Sequence, residues 1–132
     1  MPTIIRKPVT NVMETRRDVL LASRWPVHSN VWTPPTDVYE ADANLIVKLE
    51  IAGVREEDIE VTVEEQVLLI RGNRLDQNER RAYHQMEIRF GKFEIAIGLP
   101  SDINVEESSA HYKDGFLTII LPKKQAKQIE VE

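Results

Sequence analysis

The sequence predicts an all-β fold: an antiparallel β-sandwich over residues 34–122, with an N-terminal arm over 1–33 and a C-terminal tail over 123–132. Three observations carry this. Between Thr36 and Pro122 apolar residues recur in short runs, several with the period of two that marks half-buried strands. Turn residues punctuate those runs. No stretch of 36–122 keeps a 3.6-residue period, so no long helix is expected there.

The arm comes first and holds no sustained pattern. Val9, Val12, Met13, Val19 and Leu20 recur at roughly helical spacing behind Thr10, a candidate cap, but Arg16 falls within that face. Leu21 and Trp25 extend the apolar set, and Trp25 and Trp32 are the two tryptophans. The segment reads either as an untied leader or as an arm whose apolar residues serve assembly. Pro34-Pro35 closes it.

The strands follow. Leu45, Val47, Leu49 and Ile51 alternate with Lys48 and Glu50, and Ala52-Gly53 breaks the run. Ile59, Val61 and Val63 alternate with Glu60, Thr62 and Glu64, and Glu65-Gln66 turns the chain. Val67-Leu68-Leu69-Ile70 is apolar on both faces, as an interior strand is, and Arg71-Gly72 ends it. Residues 73–89 form a long polar excursion whose second half carries the large apolar residues Tyr83, Met86 and Ile88. A loop of that length in a small domain is usually functional or held by a partner. Phe93, Ile95, Ile97 and Leu99 then share a face up to Pro100, and a strand is expected from about Val105 to Tyr112. Asp114-Gly115 is a hairpin turn of the type needing positive φ at both positions, and Phe116 to Leu121 is the last strand, stopped by Pro122. In the tail only Ala126, Ile129 and Val131 are apolar. In an extended chain Ile129 and Val131 lie on one side, about 6–7 Å apart. Two readings stay open: a frayed end, or a short strand that docks by edge addition.

Composition excludes several functions. Cys is 0, so disulfide scaffolds, thiolate metal sites and a cysteine nucleophile are ruled out. Net charge is −5, and its split is uneven: the arm carries 5 basic and 2 acidic residues (+3), which leaves 12 basic and 20 acidic residues in 34–132 (−8). An acidic domain is a poor partner for nucleic acid, even with Tyr83, Phe90 and Phe93 as candidate stacking rings. No apolar run approaches the ~20 residues of a membrane span, and no signal-peptide pattern opens the chain, so a cytoplasmic location is expected. His28, His84 and His111 form no metal-binding spacing, and no phosphate-cradling or nucleophile motif is present. Ser108-Ser109 near His111 builds no triad, and the carboxylates at 56–58 and 64–65 read as solvated surface. Function is therefore expected in surfaces rather than in a reacting centre: no enzyme, no cofactor and no metal. The arm, the long loop and the tail all carry apolar residues that a small sandwich cannot bury alone.

Read in order, the residues resemble the small heat-shock proteins, the α-crystallin domain family, over about 32–131. The resemblance begins at Trp32-x-Pro34-x-x-Asp37-Val38-x-Glu40 and continues through Ala52-Gly53-Val54-x-Glu56-Glu57-Asp58-Ile59-x-Val61. It includes Leu68-x-Ile70-x-Gly72-x-Arg74, Phe90-Gly91-x-Phe93 and Leu99-Pro100. Ala110-x-x-x-Asp114-Gly115-Phe116-Leu117, Leu121-Pro122-Lys123 and Ile129-x-Val131 complete it. Many members have Pro at the place of Ala52, and many have an Arg supporting the dimer interface where this chain has Ile95.

The resemblance implies an immunoglobulin-like sandwich that dimerises and assembles further. It also implies an ATP-independent holdase that keeps unfolding client proteins soluble. The 73–89 loop would pair with the partner subunit through Tyr83, Met86 and Ile88. The arm residues Val9, Val12, Met13, Val19, Leu20, Leu21 and Trp25 would serve clients and assembly. Ile129 and Val131 would insert between two strands at a sheet edge, against Ile59, Val61, Val63 and Val105. The same sandwich in CS-type co-chaperones, monomeric adaptors of a larger chaperone, is the alternative. A small sandwich enzyme or sugar binder has no supporting constellation.

Overall fold

The computed structural model describes residues 4–6, 31–77, 79, 81–125 and 129–132. Val9, Val12, Met13, Val19, Leu20, Leu21 and Trp25 therefore lie outside the described residues. Eight strands run in chain order: β1 (Ile4–Arg6), β2 (Thr36–Ala41), β3 (Asn44–Glu50), β4 (Ile59–Glu64), β5 (Val67–Arg74), β6 (Gly91–Gly98), β7 (Ser109–Lys113) and β8 (Phe116–Pro122). They form two four-stranded sheets, β1-β4-β5-β6 and β2-β3-β8-β7. Every pairing is antiparallel except β1 with β4, which is parallel. This is the β-sandwich that the alternation predicts.

The alternation sets what lies between the sheets. Val47, Leu49 and Ile51 face Val61, Leu68, Ile70 and Phe93 in one cluster, joined by Leu117, Ile119 and Leu121 of β8. The apolar run 67–70 behaves as expected of an inner strand: β5 is flanked by β4 and β6 on its two sides. Three hairpins close on two-residue turns with both φ positive: Asp42-Ala43 (50° and 63°), Glu65-Gln66 (46° and 62°) and Asp114-Gly115 (53° and 84°). The twist of such turns matches the right-handed twist of paired strands, which offsets the cost of positive φ at non-glycine residues. Tyr112 on β7 ties the sheet to the β3 exit, its hydroxyl donating to the Ile51 carbonyl at 3.0 Å. Burial raises the Tyr112 phenol above its ordinary value, and the nearby Val54 backbone partly opposes this.

The structure departs from the sequence expectations at five places. β2 is a full strand, although its exposed TDVYEA sequence shows no buried face. β1 is a strand inside a segment expected to lack one. Trp32, assigned above to the arm, is a core residue: it bridges to Phe93, with ring centroids 5.5 Å apart. β5 runs on to Arg74, paired with Gly91, so the loop spans 75–90 rather than 73–89. Val105 starts a single 3-10 turn, Val105–Glu107, and the strand begins only at Ser109. The acidic pair Glu106-Glu107 breaks the alternation that a strand there would need.

Gly72 marks a tight point of the first sheet. It pairs directly opposite Phe93, and a Cβ there would lie 2.5 Å from Phe93 Cε2 and 2.8 Å from the Asp58 carbonyl oxygen. The buried ring cannot swing away without opening the core. Gly72→Ala is expected to cost about 2–3 kcal/mol, the scale of overpacking. A urea melt at fixed protein concentration reads it; an unchanged midpoint would show that the ring has room to move.

Candidate functional site

The described surface carries its chemistry on strand edges and two apolar segments. The 75–90 loop leaves the sheet at Arg74 and returns at Gly91. Its root is clamped. The Arg74 guanidinium sits 4.6 Å over the Trp32 ring and donates from Nη1 to the Arg89 carbonyl at 2.9 Å. The Trp32 indole donates from Nε1 to the Gly91 carbonyl at 3.0 Å. Arg74 Nε is buried with no hydrogen-bond partner among the described residues. Arg74 and Trp32 thus fix both ends of the loop; sequence reasoning placed both in the family pattern but gave neither a role.

Beyond the clamp no strand forms among the described loop residues. Arg81 organises the turn: Nη1 donates to the Tyr83 hydroxyl at 2.9 Å, and ion pairs reach Asp76 at 3.4 Å and Glu79 at 3.2 Å. Leu75, Tyr83, Met86 and Ile88 face solvent, with Met86 64% and Ile88 65% exposed. A cleft beside the root is lined by Trp32, Pro35, Ala52, Leu75, Ile88 and Phe90. The three loop residues singled out from sequence are therefore brought onto one exposed segment. On the other sheet β2 pairs, among the described residues, only with β3, and it carries the exposed Val38 and Tyr39. Sequence reasoning missed these two; the only signal was a pair of apolar neighbours in a polar run.

The tail residues Ile129 and Val131 are 79% and 96% exposed. The four residues expected to accept them lie in or against the core. Ile59, Val61 and Val63 are core side chains, and Val105 is packed partly buried against that core. What β4 offers a docking strand is its backbone edge, not a row of open side chains. In the structure β1 occupies that edge, with Ile4 opposite Val61, Ile5 opposite Thr62 and Arg6 opposite Val63.

Charge around these features is ordinary surface. Arg55 pairs with Asp58 at 2.9 Å within the acidic turn Glu56–Asp58. Among the described residues no group of three His, Cys, Asp or Glu side chains could hold a metal ion. No helix among them is long and apolar enough to cross a membrane.

The described residues thus form a two-sheet β-sandwich with a clamped, exposed loop and an exposed aliphatic tail. The Hsp20/alpha crystallin family model matches residues 37–132. The chain is similar to small heat shock protein C4 of Rickettsia felis, at 32% identity over 81% of this chain and 70% of that protein. It is also similar to the 16.9 kDa class I heat shock protein 1 of Triticum aestivum, at 36% identity over 66% of this chain and 60% of that protein. Among solved structures, hspA from Xanthomonas axonopodis superposes with a TM-score of 0.67 at 28% identity, covering 73% of this chain and 98% of that one. A small heat-shock protein from Xylella fastidiosa, described as having a distinct high order structure, gives 0.66 at 26% identity, covering 76% and 97%. The chain belongs to the Hsp20/alpha crystallin family, the small heat shock proteins. That membership supports a chaperone role in the stress response.

Proposed function

We propose that the protein is an ATP-independent holdase of the cytoplasm, built from dimers that assemble into larger oligomers through their tails. The observation that carries this is the set of exposed apolar residues on segments leaving a closed core: Tyr83, Met86 and Ile88 on the loop, Ile129 and Val131 on the tail. The sandwich has no room for them, so a neighbouring copy is their natural cover. The loop of one subunit adds as a strand to the outer edge of β2 in its partner, where Val38 and Tyr39 wait. The tail adds at β4 of a further subunit.

Capture rather than turnover is the mechanism. Heat exposes apolar surface on a client, and the arm residues cover it before clients meet one another. No nucleotide, metal or cofactor is needed for that step.

The experiment is aggregation suppression without ATP, comparing the full chain with a chain lacking residues 1–31. The shorter chain retains Trp32 and hence the whole described core. It is expected to stay folded and to lose most of its protection per subunit. Equal protection would move client binding from the arm to the sandwich.

A further inference from the structure

One strand edge in this molecule has two claimants. β4 pairs with β5 on one side over Ile59–Glu64. On the other it pairs with β1, so the backbone groups around 61–63 are engaged on both sides. A strand edge offers a single row of donors and acceptors and admits one partner at a time. The tail motif, which would add at this same edge, stands instead exposed to solvent.

We propose that Ile4–Arg6 is a latch: it holds the β4 edge in its own subunit, and the Ile129–Val131 segment of a second copy must displace it to dock. This rests on the reading of the tail as an edge-adding strand. The two segments are alike in length and β-branched content, Ile-Ile-Arg against Ile-Glu-Val. They differ in charge. The first carries Arg6 and the second Glu130. The latch is also covalently attached, so its pairing with β4 is intramolecular and independent of subunit concentration. At low subunit concentration the latch wins. Tails gathered in an assembly present many competing copies, and docking one frees the arm that leads from β1. Assembly and release of the arm are thereby one equilibrium.

The test uses the full chain with Ile129→Ala and Val131→Ala, so that its own tail does not compete. The probe is a fluorescent peptide of residues 123–132, titrated onto this chain and onto the same chain lacking residues 2–7. A third form carrying Ile4→Gly and Ile5→Gly keeps the arm length. Amide hydrogen exchange at 60–64 is followed in all three without peptide. If the latch is closed in nine chains of ten, the peptide binds about tenfold tighter to both latch variants. Exchange at the outward amides of 60–64 also quickens in both. Equal peptide affinity with and without the latch overturns the proposal and leaves the tail reading standing. Unchanged exchange overturns it too, because the edge was never covered. Faster exchange with no peptide binding to any form overturns the competition and assigns the failure to the tail reading.

Discussion

Replacing residues 75–86 with a short Gly-rich turn is expected to convert the proposed dimer to a monomer while the sandwich stays folded. The fold survives because no described residue of 75–86 belongs to the core cluster. The clamp is also spared: Arg74 and Arg89 remain, and Trp32 still bonds Gly91. What goes is the partner-covering segment, with Tyr83 and Met86 at its centre. Burying a side chain of this size is worth roughly 1.5–3 kcal/mol. A two-fold dimer uses each contact twice, so losing both from each subunit removes four buried side chains, roughly 6–12 kcal/mol before ordering costs; a net loss of about 4 kcal/mol is already on the order of a thousandfold in Kd. Sedimentation velocity across a wide concentration range reads this directly. A shortened chain that dimerises with unchanged affinity would show that subunits meet elsewhere, β2 to β2 being the first place to look.

Ile129→Ala with Val131→Ala should reduce large oligomers to dimers. Both side chains are almost fully exposed in the single chain, so their removal costs the sandwich nothing. The gain lost at each docking site is roughly 1.5–3 kcal/mol per side chain before ordering costs. Ordering the tail offsets much of it, so one contact is weak and reversible. In the proposed assembly many such contacts act through effective concentration, and loosening all of them together is expected to collapse it. Native mass measurement reads the product. Oligomers of unchanged size would mean that the arm alone builds the assembly.

Much of the sandwich could be read from sequence because its strands obey simple alternation. β3, β4 and β8 each bury alternate aliphatics, and Glu65-Gln66 and Asp114-Gly115 sit where the hairpins turn. β2 escaped because it buries almost nothing. Its turn, Asp42-Ala43, takes positive φ without the glycine that usually announces it. Trp32 escaped because an isolated aromatic before two prolines shows no period; only the bridge to Phe93 draws it inward. β1 is three residues long, too short for any pattern. Tyr83, Met86 and Ile88 were legible as misfits in a polar loop, and their exposure follows from that. The accepting residues were half legible. Alternation marked Ile59, Val61 and Val63 as one face of a strand, but a single sequence cannot say whether that face meets the core or a visitor.

The position of Trp32 has an optical consequence. The chain has 2 tryptophans, and removing residues 1–31 takes away Trp25. The indole that remains lies beneath the Arg74 guanidinium and bonds the carbonyl at the far end of the loop. Such a ring, packed on a cation and shielded from water, emits at a wavelength set by both. Any event that pulls the loop root will shift that emission. The arm-deleted protein is therefore its own fluorescent gauge of movement at the loop root, with no label added.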